Sequence, residues 1–182
     1  MRITGGALRG RTLPAKVQRG VRPTSSRVRE ALFSIIGHDL SGVCVLDAFG
    51  GSGLLGFEAV SRGASVTTVE RHRAAAQAIR SNASHLGVTI DLRVADVRSV
   101  LASGEWDVIL MDPPYGDDPI EWVAEASAAV GTLLVIEHRT GVLMPVTVGP
   151  LSLERSKRYG GTSLSVYRRG ADAGLDESSV VP

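Results

Sequence analysis

Residues 43–56 read VCVLDAFGGSGLLG, an apolar run that ends in a loop rich in glycine. The run over 43–49 predicts a buried strand, and the apolar pattern after the glycines predicts a helix. Gly51, Gly53 and Gly56 match the spacing G-x-G-x-x-G in this strand–turn–helix context. Glycine lets the backbone bend sharply and approach a ligand closely. The stretch therefore predicts an α/β fold that binds a nucleoside-containing cofactor, with a tight turn that binds nothing as the lesser alternative.

Short apolar runs alternate with helical patterns over most of the chain. The predicted strands cover 43–49, 65–70, 89–96, 106–112, 132–139, 151–158 and 162–169, and the predicted helices between them cover 54–62, 71–86, 97–102 and 119–130. Such alternation with nearly continuous apolar strands predicts a mostly parallel, seven-stranded sheet with helices on both faces. The last two strands flank Tyr159-Gly160-Gly161 and predict a C-terminal antiparallel hairpin. This is the arrangement expected of Rossmann-like, class I methyltransferases.

The two ends of the chain fall outside this alternation. Residues 1–21 are turn-rich and predict a small basic β-hairpin extension, which the amphipathic helix RVREALFSII follows. Residues 171–182 have no periodicity and predict a flexible tail. We therefore expect one α/β domain over 22–170, with an extension before it and a tail after it.

Basic side chains are concentrated at the start of the chain. Residues 1–29 contain eight basic side chains and no acidic one, whereas the remaining 153 residues contain 12 basic and 19 acidic side chains, a net charge of −7. A basic arm on an acidic body suggests a polyanionic partner. Most of these side chains are arginine, whose planar fork suits phosphates and base edges, so nucleic acid is favoured. A solvated surface, or arginines paired with the acidic body, would explain the same pattern.

The overall composition is that of an ordinary globular protein, with 43% hydrophobic and 21% charged residues in 182. A single cysteine, Cys44, excludes an internal disulfide and favours a reducing compartment; its place within a strand predicts a buried thiol. The four histidines have no metal-ligand spacing and are expected at the surface or at helix ends. Without a long apolar run or a signal peptide, a cytoplasmic protein that contacts no membrane is expected. We also expect a monomer, although no sequence pattern indicates the oligomeric state.

An acidic residue closes each of four consecutive predicted strands. These residues are Asp47, Glu70, Asp96 and Asp112, and ligands of open α/β sheets bind at this edge. Glu70 is placed to accept hydrogen bonds from ribose hydroxyls, and Asp96 with Val97 is placed to meet the adenine amino group. Asp47 beside the glycines would repel the pyrophosphate of a dinucleotide but suits the ammonium and sulfonium of S-adenosylmethionine. Each acid alone could equally be a helix N-cap.

The segment MDPPYG, residues 111–116, ends a buried strand on a carboxylate. Pro113 and Pro114 stop the strand because proline has no N–H and a fixed φ. The residue before a proline is held extended, which presents Asp112 and the Pro113 carbonyl at the strand end. A simple strand-terminating turn would also explain these residues.

Taken together, these motifs resemble a known family. DAFGGSG, Glu70, Asp96 and DPPY resemble the S-adenosylmethionine-dependent amino-methyltransferases, whose fourth motif is (N/D/S)-P-P-(Y/F/W). Nearly the whole chain resembles the RsmD family through RITGGALRGRTL, RPTSSRVREALFSII, LDAFGGSGLLGFEAVSRGA and MDPPYG, in that order. The resemblance implies methylation of the exocyclic N2 of a specific guanine in 16S ribosomal RNA, within the 30S subunit or an assembly intermediate.

The resemblance also implies roles for individual residues. The catalytic set is Asp112, Pro113, Pro114 and Tyr115, in which Asp112 and the Pro113 carbonyl accept the N–H bonds of the target amine and Tyr115 stacks on the base. The cofactor set is Asp47, Phe49, Gly51, Gly53, Glu70, Asp96, Val97 and Thr24. The RNA set is Arg2, Arg9, Arg11, Arg22 and Tyr115. No metal is expected.

Several alternatives stay open at this point. Thr24 could instead cap the following helix, and Arg22 could contact either the cofactor or a phosphate. The motif DPPY does not itself choose a substrate, so a DNA adenine or cytosine methyltransferase or a protein glutamine methyltransferase remains possible. A non-catalytic Rossmann-like RNA-binding module is a third possibility.

Overall fold

Eight strands form one sheet in the computed structural model, which describes residues 1–14 and 25–170. The strands are β1 (Cys44–Asp47), β2 (Ser65–Val69), β3 (Asp91–Arg93), β4 (Trp106–Met111), β5 (Val130–Arg139), β6 (Thr147–Val148), β7 (Leu151–Tyr159) and β8 (Thr162–Arg169). Their order is β3-β2-β1-β4-β5-β8-β7-β6. Strands β1 to β5 pair in parallel, while β8, β7 and β6 continue the sheet antiparallel.

This topology confirms the predicted Rossmann-like fold and its C-terminal hairpin, but the count of seven strands is one short. The additional strand is β6, two residues long, which pairs with Leu151 and Ser152. Pro145 and Pro150 stand close on either side of it in the sequence, so the segment is too short to show any alternation of apolar and polar residues.

Five helices of the described chain cover the two faces of the sheet. They are α1 (Ser26–Ile36), α2 (Leu54–Ser61), α3 (Arg73–Leu86), α4 (Val97–Leu101) and α5 (Pro119–Ala126). Helices α1 and α2 pack on one face, in a cluster with Val45, Leu133 and Val135. Helices α4 and α5 pack on the opposite face, in a cluster with Ile109 and Leu134. Both faces are therefore buried, as nearly continuous apolar strands require.

The N-terminal segment, residues 1–14, folds back on itself and packs against α2 and α3. Its two arms meet at the bridge between Arg2 and Thr12. Ile3 and Leu13 are buried in a third cluster that also contains Phe57. The segment therefore contributes to the core. The predicted boundary at residue 21, the interpretations of Arg22 and Thr24, and the predicted tail over 171–182 lie outside the described residues.

A buried ionic cluster joins the N-terminal segment to α1 and α2. The carboxylate of Glu58 is fully buried, and it accepts hydrogen bonds from the Thr4 N–H at 2.8 Å and from the Thr4 hydroxyl at 2.9 Å. The same carboxylate pairs with Arg29 at 3.4 Å and Arg62 at 2.5 Å, and both guanidinium groups are almost completely buried. Charges buried in this way need partners, and this cluster supplies them from three separate parts of the chain.

Two predictions about single side chains are wrong. Cys44 is exposed, because it is the first residue of β1 and lies at the amino end of that strand. His138 is buried near the end of β5, where its Nε2 lies 2.8 Å from the Ser165 hydroxyl across the β5–β8 pairing. None of the described helices is long and apolar enough to cross a membrane.

Candidate active site at the carboxyl edge of the sheet

A cavity of about 700 Å³ opens at the carboxyl ends of β1, β2 and β4. The glycine loop, residues 48–53, forms its floor through residues 48–52, and the segment 112–118 after β4 forms one wall. Among the predicted site residues that line it are Phe49, Gly51, Glu70, Asp96, Val97, Asp112, Pro113, Pro114 and Tyr115. The structure thus brings nine of the sequence-predicted residues to one cavity. Asp47 and Gly53 lie beside it without lining it.

The glycine loop is tightly folded against the sheet. Gly53 has a φ of 77°, and a Cβ there would lie 2.7 Å from the Phe57 ring, so only glycine fits. Gly51 has a φ of 52° but open space around the position of a Cβ, with nothing nearer than 3.9 Å. The backbone at Gly51 therefore presents an open surface to whatever occupies the cavity.

Glu70 connects the loop to the start of α3. Its carboxylate accepts hydrogen bonds from the Gly51 N–H at 2.9 Å and from the His72 N–H at 2.7 Å. These bonds fix the carboxylate in the cavity wall at the end of β2. A carboxylate has about four acceptor sites, so two are left for ribose hydroxyls.

Asp47 is the buried acid of the site. Its carboxylate is 1% exposed and accepts a hydrogen bond from the Gly56 N–H at 3.1 Å. Burial above all, together with repulsion by the Asp112 and Glu70 carboxylates, raises the pKa of Asp47 to about 7, although the hydrogen bond from the Gly56 N–H opposes the rise. A positive charge in the cavity would lower the pKa of Asp47, whereas a negative charge would raise it.

Two aromatic side chains form part of the cavity wall. Phe49 and Trp122 meet edge to face, with ring centroids 4.9 Å apart. The guanidinium of Arg98 lies 4.2 Å from the centre of the Trp122 ring. Asp96 caps α4 by accepting from the Arg98 N–H at 2.9 Å, so the predicted acid is also a helix N-cap. Sequence patterns placed Trp122 on a helix but gave no signal for its place in this wall.

The segment Asp112–Tyr115 follows β4 directly and is held in a closed turn. The Asp117 N–H donates to the Pro114 carbonyl at 2.9 Å. Asp112 is half-buried and Pro113 is buried, while Tyr115 is 45% exposed at the mouth of the cavity. The Tyr115 hydroxyl lies 3.1 Å from the Thr162 hydroxyl, which ties the turn to the C-terminal hairpin.

The predicted RNA-binding arginines fall into different environments. Arg2 and Arg9 are exposed and line a second cavity of about 580 Å³ between the N-terminal segment and α1. Arg11 instead donates to the Leu86 and His85 carbonyls, both at 2.8 Å, at the carboxyl end of α3. It therefore caps a helix. Arg29, which the sequence placed only in the basic arm, lines both cavities.

Within the part of the chain that the structure describes, no group of three or more His, Cys, Asp or Glu side chains could hold a metal ion.

The comparisons with known proteins cover nearly the whole chain. The model of the family described as conserved hypothetical protein 95 matches residues 1–168. Ribosomal RNA small subunit methyltransferase D of Escherichia coli is 32% identical, over 97% of this chain and 93% of that protein. A Bacillus subtilis protein described as a candidate rRNA methyltransferase is 33% identical, over 93% and 99% of the two chains. The solved structure of an Escherichia coli candidate methyltransferase superposes with a TM-score of 0.82 at 33% identity, covering 94% of this chain and 98% of that chain.

Proposed function

The chain belongs to the RsmD family, described as conserved hypothetical protein 95, and we propose that it methylates the exocyclic N2 of a specific guanine in 16S ribosomal RNA. S-adenosylmethionine is the methyl donor of this reaction. The proposal includes action on the 30S subunit or an assembly intermediate, by a monomer in the cytoplasm.

One observation carries the proposal. Asp112 and Pro113 stand at the end of β4, in the wall of the cavity whose floor is the glycine loop. Two acceptors for an amine and a loop that admits a nucleoside cofactor therefore share one space. Transfer of a methyl group from the cofactor to the amine needs both at close range, because proximity and orientation supply much of the rate.

The charge of the cavity fits S-adenosylmethionine better than a dinucleotide. Of the described side chains that line it, six are carboxylates and three are arginines. The carboxylates are those of Glu70, Asp96, Asp112, Asp117, Asp118 and Glu121. Such a lining attracts the ammonium and sulfonium groups and repels a pyrophosphate. The buried carboxylate of Asp47, with its raised pKa, likewise favours a positively charged ligand.

The residues after β4 act on the target amine. The guanine N2 lone pair is delocalised into the ring and reacts poorly. Asp112 and the Pro113 carbonyl accept its two N–H bonds, which orients the nitrogen and stabilises the positive charge that grows on it. When bound, the cofactor would supply a methyl group activated by its sulfonium and would leave as a neutral thioether. One N–H proton of the amine is then lost through the hydrogen-bonded Asp112 carboxylate to water. Tyr115, exposed at the mouth, offers a face on which the guanine can stack after leaving its place in the RNA.

Cofactor affinity should depend on pH through Asp47. Below its pKa of about 7 the carboxyl is neutral and the attraction for a cationic cofactor is lost. The affinity for S-adenosylmethionine should therefore fall by about 10-fold between pH 8 and pH 6, the change in the ionised fraction of such a group. Calorimetry with wild type and Asp47→Asn measures this. The variant should show no such dependence, and a wild-type affinity that stays constant over this range would exclude Asp47 from cofactor binding.

The target base is tested by methyl transfer from labelled S-adenosylmethionine. Unmodified 30S subunits and naked 16S ribosomal RNA are the two substrates, and the label is then identified by nucleoside analysis. We expect N2-methylguanosine, with 30S subunits or a late intermediate as the better substrate. Label in N6-methyladenosine, N4-methylcytosine or a protein glutamine would contradict the proposed base.

A further inference from the structure

The turn of the C-terminal hairpin lies beside the mouth of the cavity. The Thr140 N–H donates to the Gly161 carbonyl at 3.0 Å, which fixes the turn to the end of β5. Thr162, the first residue of β8, meets the Tyr115 hydroxyl at 3.1 Å. The Arg139 guanidinium lies 5.7 Å from the centre of the Tyr115 ring. The hairpin therefore shares a border with the tyrosine that is to stack on the target base.

Three basic side chains lie on one face of this part of the sheet. Arg139 pairs with Thr162, Lys157 pairs with Leu164 and Arg155 pairs with Val166. Leu164 and Val166 face the cluster that contains α1. Since side chains alternate along a strand, all three basic residues point to this same face. All three are exposed, and we name them the hairpin cationic face.

Arg158 is also basic, but its side chain points to the opposite face of the sheet. It lies on the same strand but pairs with Ser163, whose side chain points to the other face of the sheet. Its Nε donates to the Gly160 carbonyl at 2.9 Å. Arg158 is likewise basic and exposed and lies one residue away from Lys157, which makes it a matched control.

Edge protection does not account for the sign of these charges. Beyond Leu153, strand β7 has no strand partner on its outer side among the described residues, and charge of either sign would discourage edge-to-edge pairing there. Residues 155–169 nevertheless contain no acidic residue, and Glu154 just before them pairs with Arg168 at 2.8 Å. A cationic surface next to a cavity rich in carboxylates needs another reason.

The proposed RNA substrate explains why this surface is positively charged. An RNA whose guanine enters the cavity must keep its phosphates away from six carboxylates, so cations outside the mouth have to hold them. The basic arm, residues 1–29, meets this need only in part, because Arg11 caps α3 and Arg29 is buried against Glu58. We propose that the hairpin cationic face binds the RNA phosphates that flank the target guanine. This inference rests on the proposed function.

The test is the double variant Arg155→Gln/Lys157→Gln against Arg158→Gln. Arg139 is left intact because it contacts Tyr115. With 16S ribosomal RNA as substrate, losing two phosphate contacts should raise KM about 10- to 30-fold at 0.1 M salt and flatten the salt slope by about 1.4. The rate at saturating RNA and the affinity for S-adenosylmethionine should stay within twofold of wild type. Arg158→Gln should resemble wild type in every measurement.

The outcomes separate this inference from the proposed function. If wild type transfers no methyl group to guanine, the proposed function fails. If wild type is active and the double variant keeps its KM and salt slope, the hairpin cationic face does not bind RNA. An equal rise in KM for Arg158→Gln would assign the effect to net charge and overturn the inference as well.

Discussion

Replacing Asp112 with alanine should lower the rate of methyl transfer at saturating substrates by about 10²–10³-fold, the usual cost of one preorganised polar partner. Cofactor affinity should change far less than the rate, because five of the six lining carboxylates remain and Asp112 acts on the amine in the proposed mechanism. Its removal also relieves repulsion on Asp47, one of the causes of the raised pKa of that residue. A single-turnover measurement with 16S ribosomal RNA, together with calorimetry for S-adenosylmethionine, separates the two quantities.

The size of the effect follows from where Asp112 stands. It comes directly after β4, and the prolines behind it fix the backbone, so in the proposed mechanism its carboxylate is already in place when charge develops on the amine. The Pro113 carbonyl remains in the variant and still orients one N–H. The loss should therefore appear in the rate at saturation far more than in the KM for RNA.

Glu121→Gln is the matched control for this experiment. Glu121 is exposed, lines the same cavity and lies on α5, so the variant removes the same charge without touching the amine acceptors. Its rate should stay within a fewfold of wild type. A rate for Asp112→Ala that is close to that of Glu121→Gln would show that Asp112 contributes only bulk charge and has no role in orienting the amine.

The sequence predicted the sheet and the cavity well because both depend on local patterns. Buried parallel strands are short apolar runs, and Gly53 marks the turn after β1 where a Cβ would strike Phe57. The carboxyl ends of parallel strands share one edge, so the order of elements was enough to predict that Glu70 and Asp112 line one cavity.

Features that depend on distant contacts were missed. Arg11 has the same local sequence signature as Arg9, yet only Arg11 reaches the end of α3, more than 70 residues away. The position of Trp122 against Phe49 is set by packing between α5 and the glycine loop, which leaves no mark in the spacing of residues. Charge in a sequence shows that a partner is needed, but only the fold shows whether that partner is a carbonyl or a phosphate.

Glu58 sits where the N-terminal segment meets α1 and α2, and its partners include Arg29 of the basic arm. Glu58→Gln should destabilise the protein by about 3–5 kcal/mol, because it leaves two buried guanidinium groups without their countercharge. For a chain of this size, that corresponds to a fall of about 6–20 °C in Tm. Equilibrium unfolding in urea, with the S-adenosylmethionine affinity measured on the folded fraction, gives both stability and function.

The basic arm, residues 1–29, therefore contains buried arginines that hold the fold together, such as Arg29, and exposed ones, such as Arg9. Arg29 pairs with Glu58 and also donates to the Arg2 carbonyl at 3.0 Å, so the N-terminal segment is tied to the body through this residue. Removing residues 1–14 would uncover Phe57 and take Thr4 away from Glu58, so that deletion should destabilise the fold as well as weaken RNA binding.

Glu154→Gln is the control for Glu58→Gln, since its pair with Arg168 is exposed and should contribute at most about 1 kcal/mol. If Glu58→Gln were as stable as Glu154→Gln, the buried cluster would not hold the segment in place, and the N-terminal arginines would have to be regarded as a removable arm.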